Sequence, residues 1–220
     1  MPLEFVGQNV VVAAHHFNPT IFSQLWLVRN GLITEDSFRA GCAFTEVFSN
    51  SVSDEFSLLV VPPQLQFTPS VLPEAEPRLI LEKVGAIVRA LPHTPYHAIG
   101  LNFTWHVLPS EGSVATLSRR LFNLETKPLF REFSAADAQF GTYLSKDIFG
   151  TRLKLDIKPI TVDLPELGGQ QPRLHFGFNF HRDVRSDDPV TCIEEVLRNW
   201  QNAKTEAARL LGVCLSEEPV

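Results

Sequence analysis

The chain has 220 residues, 44% of them hydrophobic and 20% charged, with a formal net charge of -6. That length can bury a large core without disulfide or metal staples, and the interspersed acids and bases form no basic stripe to neutralise phosphates, so nucleic acid is not an expected partner. The longest apolar runs, such as Leu58 to Val61, fall far short of the ~20 residues that cross a bilayer, and no basic segment precedes an apolar core at the N-terminus, so a soluble protein with no membrane partner is expected.

The first recognisable element is a strand from about Val10 that runs into "HHFNP". Asn18 followed by Pro19 is a cap and a first-turn proline, and Ile21, Phe22, Leu25, Trp26 and Val28 repeat at helical spacing up to Asn30-Gly31. Strands are expected near Ala43 to Phe48 and Phe56 to Phe67, separated by the turn-like "SNSVSDE", with Pro62-Pro63 shortening the second or making it an edge. Ile80, Val84, Ile87, Val88 and Leu91 predict a helix that starts at Pro77 and is stopped by Pro92. It feeds the strand "HAIGLNFTWHV". This strand, helix, strand, strand, helix, strand order is that of a split-βαβ, ferredoxin-like unit over residues 1–109, with a boundary at Pro109 to Ser113.

Residues 110–220 read as a second α+β half. "TLSRRLFNLETKPLFREF" offers one or two short helices divided near Pro128, followed by strands at Phe140 to Leu144 and Thr151 to Leu164. "RLKLDIK" alternates strictly, so that sheet has one wet face. After Gly168-Gly169, "RLHFGFNFHRDV" sets Phe176, Phe178 and Phe180 against His175, Gly177, Asn179 and His181. Asp188-Pro189 opens a long helix from about Val190 that ends at Gly212. The whole is expected to be an α+β protein with an antiparallel-dominated sheet and helices on one face, in two ferredoxin-like halves that abut or share one sheet. "GLNF" at Gly100 to Phe103 and "GFNF" at Gly177 to Phe180 hint at a degenerate duplication.

Catalytic signatures are missing: there is no G-x-S-x-G elbow, P-loop, or G-x-G-x-x-G after a strand. Cys42, Cys192 and Cys214 are widely spaced, with no C-x-x-C pair, and fit a reducing cytoplasm. No cofactor and no metal site is expected. His15 and His16 point to opposite faces of a strand and do not act as a unit, so "HHFNP" reads as a corner. In "HTPYH" Pro92 and Pro95 bar the helix that would align His93 with His97, and His175 and His181 lie roughly 20 Å apart along a strand, too far to share one metal ion. The 17 phenylalanines fall within strand-like segments, which suits a core better than base stacking.

Two surfaces stand out. One joins Gly100, Asn102, Thr104 and His106 to His175, Gly177, Asn179 and His181, where glycines would leave room for a small polar ligand or peptide beside amides and imidazoles. The other is the seam Ile193, Val196, Trp200, Ala203, Ala207 and Leu210 of the last helix, which suits either a partner helix or the chain's own sheet. The expected function is a non-catalytic protein-interaction or assembly subunit, with a protein partner or a homo-oligomer contacting Ile193, Val196, Trp200 and Leu210. The alternative is a small-ligand site or enzyme built on Asn102, Thr104, His106, His175, Asn179 and His181.

Overall fold

The computed structural model describes residues 2–109, 112–124, 126–164, 169–185 and 187–216. Strand β1 (Leu3–Ala14) starts earlier than its apolar run and ends at the "HHFNP" corner. Asn18 caps there as expected, its side chain accepting from the Thr20 amide, but what it caps is a single 3₁₀ turn, Pro19–Ile21. The α-helix α1 (Gln24–Arg29) is capped separately by Ser23. The corner is fastened by backbone bonds from Ala14 and Phe17 to the carbonyls of Pro63 and Pro62, and from His15 to that of Pro95.

Four strands follow: β2 (Ala43–Phe44), β3 (Ser49–Val52), β4 (Phe56–Val61) and β5 (Gln64–Pro69). The expected single strand Phe56 to Phe67 is instead a hairpin, because Pro62-Pro63 reverses the chain and pairs Val61 with Gln64. The "SNSV" read as a turn is a strand. Its serines face the core side, and the Ser49 hydroxyl donates to the Phe22 carbonyl at 2.7 Å, which satisfies that buried hydroxyl inside the fold. Helix α2 (Glu76–Ala90) and strand β6 (Tyr96–Val107) lie where periodicity predicts them.

Beyond β6 come α3 (Val114–Phe122), α4 (Pro128–Arg131) and the strands β7 (Thr142–Ile148), β8 (Thr151–Leu164) and β9 (Gly169–Asp183). The middle of the expected Pro109 to Ser113 boundary and Gly168 lie outside the described residues. The expected long last helix is two helices, α5 (Pro189–Leu197) and α6 (Trp200–Leu215), broken where Asn199 leaves helical geometry at φ -89° and ψ 6°. Asp188 caps α5 by accepting from the Thr191 amide at 3.1 Å.

All nine strands form one antiparallel sheet in the order β2-β3-β4-β5-β1-β6-β9-β8-β7. The protein is mixed α+β, and β6 pairs with β9 over the full register Ala98↔Asp183 to Val107↔Leu174, so the sheet is continuous from one half of the sequence to the other. Two tandem ferredoxin-like halves are not seen: β7, β8 and β9 are a meander followed by two helices, without the crossover that would repeat the first half.

One sheet face builds the core. Val10, Leu101, Phe103, Phe178, Phe180, Leu153 and Leu155 point to it and join the apolar sides of α2, α5 and α6 in one cluster. Ile193, Val196 and Trp200 are fully buried in that cluster, so the apolar seam of α5 and α6 packs on the chain's own sheet. Leu210 alone of the four expected contact residues is partly exposed. Trp200 also donates its indole N–H to the buried Glu76 carboxylate at 3.0 Å. Trp200→Ala should therefore lower stability by about 3–5 kcal/mol, and the denaturation midpoint should fall equally at low and high protein concentration, since the lost contacts are internal.

Candidate functional site

The opposite sheet face carries no helix among the described residues, and most of its side chains are half-buried. Strand alternation and register arrange its centre in rows. Val11, Gly100, His181 and Arg152 form one row, and Asn9, Asn102, Asn179 and Lys154 the next. Gly7, Thr104, Gly177 and Asp156 follow, and the last row is Glu4, His106, His175 and Lys158. The two similar strands are thus direct neighbours, and the structure brings together most of the residues expected at the site.

The middle row is an asparagine ladder. The Asn102 amide donates to Asn9 Oδ1 at 2.8 Å, and the Asn179 amide donates to Asn102 Oδ1 at 2.5 Å. Each amide thereby satisfies its neighbour across a strand gap. Asn9 was not singled out from sequence, yet a signal for it exists: Gly7-Gln8-Asn9 repeats the Gly-x-Asn of Gly100-Leu101-Asn102 and Gly177-Phe178-Asn179.

Two of the three glycines, Gly100 and Gly177, leave room for neighbouring side chains. A Cβ on Gly100 would lie 2.8 Å from the Asn179 amide nitrogen, and one on Gly177 would lie 2.7 Å from Nε2 of His175. The space left by these two glycines is filled by the chain's own side chains, which fold flat over the sheet.

At one end of the strip His106 Nε2 and His175 Nδ1 are 3.3 Å apart. Burial holds the His106 imidazole below its ordinary pKa, helped by the neighbouring His175 ring and the Arg173 guanidinium and opposed by Glu4. Burial likewise lowers His175, with Lys158 adding to the effect and Asp156 opposing it. Both rings are neutral at pH 7, so one can donate the N–H that the other accepts. Behind them the buried Arg173 pairs with the Glu4 carboxylate.

The other end is separate. His181 Nε2 lies 3.1 Å from Asp183 Oδ1, and Asp183, also paired with Arg185 at 3.0 Å, has its carboxyl held below the usual range by the His181 hydrogen bond and the Arg185 charge. His181 lines a shallow recess with Asp147, Gly150, Thr151, Arg152 and Arg182, away from the His106–His175 pair. Thr104 sits opposite Gly177 between the ladder and that pair. The six residues therefore form a strip along two strands and do not converge on a point. Among the described residues no three His, Cys, Asp or Glu side chains cluster as metal ligands would.

No family model, curated protein or solved structure matches this chain.

Two expectations follow. Gly100→Ala should displace the Asn179 amide and lower stability by about 1 kcal/mol, the value of one hydrogen bond, whereas Gly7→Ala, with nothing within 4 Å of the added Cβ, should be tolerated; chemical denaturation of both variants checks this. The lowered imidazoles also give a pH dependence. Between their folded pKa and the ordinary His value near 6.5 the unfolded chain binds more protons, so stability falls as pH drops through that window and recovers as pH rises. Replacing both His106 and His175 by Gln should flatten this slope in melting curves taken between about pH 5 and 8.

Proposed function

We propose that the chain is a non-catalytic protein-interaction or assembly subunit. The observation that carries this reading is the occupation of the Gly100 and Gly177 spaces by Asn179 and His175. Polar groups that could have gripped a small ligand are engaged with one another across neighbouring strands, whereas in ligand and catalytic sites polar groups converge on one point. The seven-residue edge strand β7, with Tyr143 and Leu144 exposed, supplies an element suited to contact with another chain. The reading includes a cytoplasmic location, supported by the free thiols of Cys42, Cys192 and Cys214.

The second reading, a small polar ligand held at the strip, is favoured by one feature: the adjacent imidazoles of His106 and His175, both shifted toward the neutral form by burial, can donate and accept beside the partly exposed His175 ring.

Sedimentation and melting together separate the two. On the assembly reading, the chain isolated from its own source at physiological salt sediments above the 24.7 kDa of one copy, through a co-isolated protein or through self-association that grows with concentration, and small polar probes such as malonate and glucose leave its Tm unchanged. A lone monomer whose Tm rises by several degrees with such a probe, and no longer does so in His106→Ala or Asn179→Ala, would overturn it in favour of the ligand site.

A further inference from the structure

The β7 edge combines two features that sheet edges seldom show together. The turn joining it to β8 has positive φ at both Phe149 (52°) and Gly150 (69°), the two-residue type I′ hairpin, in which the flanking pair Ile148↔Thr151 is hydrogen-bonded. Alternation from that pair turns the backbone groups of Leu144, Lys146 and Ile148 toward β8. Those of Tyr143, Ser145 and Asp147 face outward and have no backbone partner among the described residues, as the open rung of a ladder. Beneath this edge, on the helix side, lies an apolar recess of about 230 Å³ lined by Leu144, Lys146, Leu153, Leu155 and Leu210. Leu144 is 56% exposed beside it. An open backbone edge with an apolar slot for alternate side chains is the arrangement by which a sheet accepts an added strand.

We propose that the occupant is β7 of a second copy, paired antiparallel about a two-fold axis through Ser145. This deepens the assembly reading and rests on it. Thr142–Ile148 is symmetric about Ser145, so that register pairs every residue of the strand and sets outward-facing residues only against outward-facing ones. It places each copy's Leu144 opposite the other's Lys146, a residue that lines the recess, and so brings an apolar side chain to each of the two slots. Charge selects the same register. A shift of the axis to Lys146 would set two ammonium groups directly opposite each other. With the axis at Ser145 each Lys146 stays bound to its own Glu206 at 2.8 Å, and Tyr143 faces an Asp147 held by Arg152 at 3.1 Å. A strand pair with two small slots falls at the low end of interface size, so the dimer is a weak one, with Kd on the order of 10 µM.

The test uses the full chain in analytical ultracentrifugation. Between about 1 and 100 µM the weight-average mass should climb from 24.7 kDa toward twice that value. Ser145→Pro removes an outward N–H while leaving the β7–β8 ladder intact, and should stay monomeric throughout with an unchanged Tm. If that variant fails to fold, mild oxidation with dipyridyl disulfide decides. Ser145→Cys should give a covalent dimer on non-reducing gels, since the two-fold sets the two thiols across from each other at a cross-strand spacing a disulfide spans. Tyr143→Cys and the parent chain, with its three native thiols, should not, because the two 143 positions are about 13 Å apart in this register. A parent chain that remains a monomer at 100 µM overturns the second-copy inference and leaves the assembly reading to the sedimentation experiment above. A dimer that forms equally well in folded Ser145→Pro, or cross-links through Tyr143→Cys and not Ser145→Cys, places self-association elsewhere and overturns the assignment to β7 alone.

Discussion

The pairing of β6 with β9 is the constraint on which the rest of the molecule depends. It joins residues 96–107 to residues 169–183, far apart in sequence, and places Leu101, Phe103 and Trp105 beside Phe180, Phe178 and Phe176 on the core face. The same register fixes the other face without further choice. Because side chains alternate, aligning the aromatic residues aligns Asn102 with Asn179 and His106 with His175. A slip of one residue along β9 would turn the three buried side chains of Phe176, Phe178 and Phe180 toward water. The asparagine ladder is thus coupled to the core through the backbone, and its cross-strand bonds reinforce a register that hydrophobic burial already demands.

The helix layer is tied to this sheet by one buried acid. Glu76, 2% exposed near the start of α2, accepts from Gln8 of β1 at 2.5 Å and from Trp200 and Lys204 of α6 at 3.0 and 2.8 Å. A buried carboxylate with this set of donors specifies how three elements meet, since any other packing would leave a charge in the core unanswered. Lys204 also lies over the Phe5 ring, 5.4 Å from its centroid, which covers the end of β1. With helices fixed to one side in this way, the uncovered face must satisfy its polar groups laterally, and the Gly-x-Asn triplets achieve that. What remains open to other molecules is the edge of the sheet.

Much of this architecture was legible in the sequence. Alternation in "RLKLDIK" and "HFGFNFH" identified both faces of β8 and β9, and the α2 periodicity with its flanking prolines placed that helix. The Gly-x-Asn match, which hints at duplication, lies on two strands that are neighbours in the sheet, and the meander of β7 to β9 does not repeat the order of the first half. The errors have physical causes. "SNSV" places Ser49 where its hydroxyl bonds the Phe22 carbonyl inside the fold, a tertiary effect that local composition cannot display. Pro62-Pro63 suits either a shortened or edge strand or a reversal, and the pairing of Val61 with Gln64 shows the reversal. The break at Asn199 separates two apolar stripes that continue each other in phase, so periodicity ran straight through it. Glu76 was invisible for another reason: its three partners come from residues 8, 200 and 204, and no spacing rule connects them.

The chain's own side chains fill the polar strip between β6 and β9, and side-chain amide NMR of the free protein reads that occupancy. The NH₂ groups of Asn102 and Asn179 should be resolved and slow to exchange with water, with cross-strand NOEs from Asn102 to Asn9 and from Asn179 to Gly100 and Asn102. These signals should not move when small polar compounds are added. Rapidly exchanging, averaged NH₂ signals in the free chain, becoming protected only on addition of a small ligand, would contradict it and identify the strip as a binding site.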